Sequence, residues 1–143
     1  MTKNVFLAIS ILSLTACSQG VTTIADKSSS PCGEKPNCVS TLDNRDEFNI
    51  APFELTPDAT LEMLEQAALQ LPGAKTAVKE KDYLRIECTS TILRFVDDLE
   101  LKIEGQQLIV RSESRTGYSD FGVNRKRAEQ LRAELIKQNL IMK

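Results

Sequence analysis

Tyr83-Leu84-Arg85-Ile86-Glu87-Cys88-Thr89 and, after a short break, Leu93-Arg94-Phe95-Val96-Asp97-Asp98-Leu99-Glu100-Leu101-Lys102-Ile103 carry the fold. In the first run Leu84, Ile86 and Cys88 alternate with Arg85, Glu87 and Thr89. In the second, Leu93, Phe95, Leu99, Leu101 and Ile103 hold one phase, and Arg94, Asp98, Glu100 and Lys102 the other. Side chains of a strand point to alternate faces, so a period of two means strands with one apolar and one charged face. Glu104-Gly105-Gln106 reads as a tight turn, and Leu108 to Ser114 as the returning strand. Upstream, Thr76 to Val78 reads as a short strand turning at Glu80-Lys81-Asp82. The break around Ser90-Thr91 has neither Gly nor Pro to mark it.

Outward from the sheet, the period changes to that of helices. Thr56-Pro57-Asp58 opens one, with Thr56 as N-cap, Pro57 at the first helical position and Asp58 at the positive end of the dipole. Leu61, Leu64, Ala68 and Leu71 form its apolar stripe, and Pro72-Gly73 ends it. A second helix, about Val123 to Gln138, places Val123, Ala128, Leu131 and Leu135 on one side. The expected fold is α+β: an antiparallel sheet of about four strands, with two helices packed on one face.

The N-terminus reads as an export signal. Lys3 precedes an apolar run from Val5 to Leu14, too short to span a bilayer, and Leu14-Thr15-Ala16-Cys17 looks like the lipobox of bacterial lipoproteins. The expected organisation is a signal peptide over 1–16, a lipidated N-terminus and flexible tether over 17–31, and one globular domain over 32–143. Cys17 would take diacylglycerol and fatty acyl chains such as palmitate, and more than one chain gives stable anchoring. Ser18 stands where an aspartate would signal retention at the inner membrane. The expectation is therefore a membrane-anchored protein facing the periplasm, at the outer rather than the inner membrane. Ser18 to Pro31 is polar and aperiodic, with a reach of roughly 20 Å as a flexible linker.

Composition narrows the chemistry. The chain has 18 basic and 20 acidic residues, and removing 1–16 takes away Lys3 alone. A near-neutral, slightly acidic domain is no candidate for nucleic acid. Histidine is absent, which removes Ser-His-Asp and Cys-His catalysis and His-ligated zinc. No cofactor and no metal is expected. Cys32 and Cys38 enclose a turn-rich loop, and in an oxidising compartment they read as a disulfide. Closing so short a loop is worth ~2.4 kcal/mol before strain. Cys88 shares the apolar phase of its strand and reads as a buried thiol, with a Cys38–Cys88 pairing as the alternative.

Three segments resemble a known family. Pro31 to Ser40, with its Cys-x5-Cys-Val-Ser pattern, Phe95-Val96-Asp97-Asp98, and Arg111 to Arg125 are similar to motifs of the family called domain of unknown function 1499. The resemblance spans roughly Cys32 to Leu135. Gly33 and Glu113 stand where the family usually has a proline and a small residue. The resemblance implies no activity, substrate or cofactor.

The residues most apt to carry function surround the start of the last helix. Arg125, Lys126 and Arg127 oppose the helix dipole there, which asks for a compensating anion. Arg111 and Arg115 leave the last strand on its charged face, and Tyr118, Ser119 and Asp120 lie in the connecting turn. One reading is internal pairing with Asp97, Asp98, Glu100 and Asp120. Strand phase turns Asp97 toward the apolar face, where a carboxylate needs a partner. The other reading leaves a cationic pocket open to an anion. The leading functional expectation is a non-catalytic envelope module that binds an anionic small molecule, lipid or partner protein, with no residue assigned to catalysis. Its alternatives are a hydrolase or transferase using Asp120 and Tyr118 with the arginines, and a purely structural or assembly protein.

Overall fold

In chain order the elements are β1 (Cys38–Ser40), β2 (Phe53–Glu54), α1 (Leu61–Ala68), β3 (Ala74–Lys79), β4 (Tyr83–Thr89), β5 (Val96–Glu104), β6 (Gln107–Ser114) and α2 (Val123–Lys137). This computed structural model describes residues 24–143. The expected signal peptide over 1–16, the expected acylation site Cys17 and the first part of the expected tether lie outside the described residues.

The alternating runs form the expected antiparallel meander β3-β4-β5-β6. Its register sets Ile86 opposite Leu99 and Leu99 opposite Ser112, while Leu84 faces Leu101 and Leu101 faces Val110. Leu84, Ile86, Cys88, Leu99, Leu101, Leu108 and Val110 are buried in one cluster with Leu61, Leu64, Ala67 and Ala68 of α1 and Ala128, Leu131 and Leu135 of α2. Two helices on one apolar face make the α+β class correct. The strand number is six, not about four. β1 and β2 divide the outer edge of β6, Cys38 to Ser40 pairing with Glu113 to Arg111 and Phe53 with Leu108. Strands of three and two residues are too short to show alternation, and they cover an edge that would otherwise be unpaired.

Three boundaries move for local reasons. Helix α1 begins after Thr60, whose side chain accepts from the Met63 N–H at 3.3 Å. Thr56, the expected cap, instead closes a turn with Ala59 and donates its hydroxyl to the Asn139 carbonyl. Strand β5 begins at Val96, because Arg94 takes a positive φ of 57° that breaks the extended run. Leu93 and Phe95 are thereby lost from the core phase and exposed. At α2, Val123 is exposed and Asn124 is buried in its place, one residue further into the helix. Gly73 is required where it stands: at φ +68° it brings its carbonyl to the Thr89 N–H, and a Cβ there would lie 2.1 Å from the Thr89 oxygen.

The charged face is covered along its centre rather than left to water. Residues 24–31, the described part of the expected tether, lie across it as a strap. Arg85 donates to the Ile24 carbonyl at 2.7 Å, the Lys27 N–H to Glu100 at 2.8 Å, and Arg111 to the Ser30 carbonyl at 3.2 Å. Ser28 is fully buried, and Asp26 pairs with Lys102 at 3.2 Å. A segment with no apolar period gave no sign in sequence that it would pack, since polar backbone and side-chain bonds hold it.

Candidate functional site

Under the strap, β4, β5 and β6 bring Arg85, Glu87, Asp98, Glu100, Arg111, Glu113 and Arg115 onto one face, because paired residues in an antiparallel register share a face. Arg111 donates to Glu113 at 2.8 Å and stands 3.6 Å from Glu100. Glu100 also accepts the Tyr83 hydroxyl at 2.7 Å. Arg115 grips both oxygens of Asp98 at 2.7 Å and reaches Glu87 at 2.6 Å. Arg85, Glu100 and Arg111 are nearly inaccessible, so their charges are matched within the protein rather than by water. Bonding to Asp98 holds the Arg115 guanidinium more firmly protonated than usual. Burial tends to raise the Glu113 carboxyl, but the bond from Arg111 wins and keeps it below its ordinary value. Burial, then the Glu100 partner, pushes the Tyr83 phenol up, so it acts as a donor.

The helix side of the sheet holds a second polar group. Asp97 points toward the helices, as its strand phase requires, and takes a 2.7 Å bond from Arg127. Arg127 also donates to Asn124 at 2.7 Å and Ser112 at 3.1 Å. Asn124, fully buried, accepts the Ser112 hydroxyl and donates to the Asn37 carbonyl, Ser114 and Asp120. Asp120 supplies the anion that the cationic start of α2 asks for. It accepts from the Gly122 and Asn124 N–H groups at 2.9 and 2.8 Å, a cap delivered from the turn rather than from Gly122 itself. Arg125 leaves the helix sideways and donates to the carbonyls of Asn49 and Glu47.

The expected cluster is therefore divided by the sheet. Arg111, Arg115 and Asp98 lie on the strap side; Asp97, Arg127 and Asp120 belong to the helix side. Ser119 accepts from the Phe121 N–H, and Tyr118 is exposed on the turn. Asp120 is occupied as a cap and Tyr118 stands in solvent, so the two form no acid/base pair shielded from water. Asn124, Ser112, Ser114 and Asn37 were not singled out from sequence. The available signal was that Asn124 falls in register with Ala128, Leu131 and Leu135, a polar residue opening an apolar stripe.

A cleft of about 560 Å³ opens on the strap side between the disulfide loop and the end of β6, with Ile24, Lys27, Lys35, Asp98, Glu113 and Arg115 on its walls. Cys32 and Cys38 are disulfide-bonded with Cα atoms 5.7 Å apart, which excludes the alternative pairing of Cys38 with Cys88. Cys88 is a buried free thiol, and burial pushes its pKa up, leaving it protonated and inert. Next to the disulfide, Asp43 accepts from the Cys32 N–H and from Arg45, and Arg45 in turn covers the Phe48 ring. Bonding from Arg45 first, and from two backbone N–H groups, holds Asp43 well below the usual carboxylate range against its burial. Among the described residues no group of three or more Cys, Asp or Glu is arranged to hold a metal ion.

Fold and site define an α+β domain with a helix-covered apolar face and a strapped, ion-paired opposite face. Residues 29–135 match the family model described as protein of unknown function (DUF1499), and the chain belongs to that family. No curated protein and no solved structure matches it significantly.

Proposed function

We propose that this is a lipid-anchored envelope protein, exported by residues 1–16, acylated at Cys17 and held at the periplasmic face of the outer membrane, whose domain is a non-catalytic module. The observation that carries the non-catalytic reading is the pairing of the arginines. Arg111, Arg115 and Arg127 each face a carboxylate at 2.8 Å or less, and Arg125 is bound by backbone carbonyls. A guanidinium already neutralised in its fold has little differential affinity left for a substrate's charge. The Cys32–Cys38 disulfide supports export, since such bonds persist in oxidising compartments. Labelling cells with a radioactive fatty acid tests the anchor. Label is expected in the wild-type chain and absent in Cys17→Ala, which also leaves the membrane fraction; an unlabelled wild type overturns the anchor.

Binding of an anionic small molecule has one observation in its favour. The cleft beside the disulfide loop carries Lys35, which makes no ion pair among the described residues, next to Lys27 and Arg115, whose charges Glu113 and Asp98 already meet. Native mass spectrometry of the chain purified from its own envelope separates the two readings. Clean apo protein supports the non-catalytic module acting through a surface. A reproducible bound mass, lost in Lys27→Ala with Lys35→Ala, assigns the ligand to this cleft.

A further inference from the structure

Exposed apolar side chains are concentrated at one end of the domain. Ile92, Leu93 and Phe95 in the β4–β5 loop, Tyr118 and Phe121 in the β6–α2 turn and Val123 at the start of α2 are the main exposed large apolar groups, with Ile92 at 89% and Phe121 at 96%. Both loops leave the same end of the sheet: Asp97 pairs with Ser114, and the Arg115 N–H bonds to the Val96 carbonyl. Thr91 and Val123 line a common cleft that joins them. A folded domain rarely gathers so many large apolar groups in water without a use for them.

These two loops themselves are richer in bases than in acids, although Arg115 and Arg127 are paired with Asp98 and Asp97 of β5. Residues 90–95 and 115–127 hold Arg94, Arg115, Arg125, Lys126 and Arg127 against one acid, Asp120, in a chain whose acids outnumber its bases. Arg94 and Lys126 are exposed and make no ion pair among the described residues. Apolar tips beside two unpaired cations, Arg94 and Lys126, complement a bilayer with anionic headgroups, where the cations meet phosphate and the apolar groups reach the acyl boundary. The first described residue also lies toward this end. Ile24 lines the cleft beside Arg115 and Gly117, and the seven residues from Cys17 reach at most about 25 Å when fully extended.

We propose that this end of the domain docks on an anionic phospholipid surface, with Ile92, Leu93, Phe95 and Phe121 entering the headgroup layer and Arg94 and Lys126 meeting phosphates. The inference rests on the anchored reading above. The domain then lies on the membrane in one orientation, with the β5–β6 hairpin pointing away from it.

The test uses the full chain, expressed with its own leader, purified from membranes in detergent and reconstituted into phosphatidylethanolamine vesicles containing phosphatidylglycerol. Single variants Ile92→Cys, Phe121→Cys and Gln106→Cys carry a polarity-sensitive fluorophore, and lipid-borne nitroxide serves as quencher; fatty-acid labelling of the same samples reports Cys17. Blue-shifted, strongly quenched emission is expected at 92 and 121, with emission at 106 as in buffer. Omitting phosphatidylglycerol, or adding Arg94→Glu with Lys126→Glu, is expected to remove most of that quenching. Acylated protein with water-like emission at all three positions overturns the docking and leaves the anchor standing. A chain without fatty acid overturns the anchor and this inference with it. Shielding of 92 and 121 from an aqueous quencher solely on adding envelope proteins, with no lipid quenching, assigns the patch to a protein partner and overturns docking on lipid.

Discussion

The two faces of the sheet are covered by opposite chemistry, the helix side completely and the strap side along its centre. On the helix side Leu84, Ile86, Leu99, Leu101 and Val110 meet Leu64, Leu131 and Leu135, and removal of apolar surface from water provides the drive. On the strap side Tyr83, Arg85, Glu100 and Arg111 are also buried, but through ion pairs and hydrogen bonds to carboxylates and strap carbonyls. Apolar burial is tolerant: a face of the right size packs against any helix with a matching stripe. Ionic burial is intolerant, because each charge removed from its partner remains desolvated. The strap, made of backbone carbonyls and N–H groups, suits the second case because it adds donors and acceptors where water would have been.

This contrast is sharpest if broken on the strap side. Arg111→Ala leaves the buried Glu100 without its cation and Glu113 with Lys27 alone at 3.4 Å, and a loss of about 3–5 kcal/mol is expected in urea unfolding. A loss below about 1 kcal/mol would show that water enters this face and that the pairs resemble surface ones. Asp97→Ala on the helix side is expected to cost less, about 2–3 kcal/mol, because Arg127 keeps Asn124 and Ser112 as partners. An Asp97→Ala protein as stable as wild type would remove the structural role assigned to that carboxylate.

The disulfide fastens the loop that separates the strap from β1. Replacing Cys32 and Cys38 together by Ser is expected to lower stability by about 2 kcal/mol, read as a shifted urea midpoint with an unchanged slope. The smallest effect is in acid. Asp43 and Glu113 titrate below their ordinary 3.8 and 4.5 in the folded protein, so the stability they contribute is complete above those values. It is lost as the pH falls further, through the folded pKa values. Unfolding measured from pH 6 downward is expected to show stability falling below about pH 4.5. Asp43→Asn should flatten the lower part of that fall, and an unchanged profile would remove Asp43 from it.

The meander was legible because alternation over seven or more residues has one interpretation for a half-buried strand. Its first and last turns, the stripe of α1 and most of α2 were legible for the same kind of reason. Short-range chemistry was less so. Thr56 and Thr60 both have the type of an N-cap, and the choice fell to Thr60 because Thr56 is tied to the carbonyl of Asn139, 83 residues away in the chain. Leu93 and Phe95 kept the phase of β5 in sequence, but a turn at Arg94 placed them outside the sheet. The arginines and carboxylates were recognised by type, and Asp97 by phase. Their division between two faces followed from the register of β5 on β6.

Sequence alone determined the class of fold and the family, because periodicity, spacing and motifs are properties of neighbours along the chain. The tertiary structure decided which charges meet, that residues 24–31 close over them, and that two distant loops present their apolar tips together. Those are properties of neighbours in space, and polar partners carry no period that would announce them in advance.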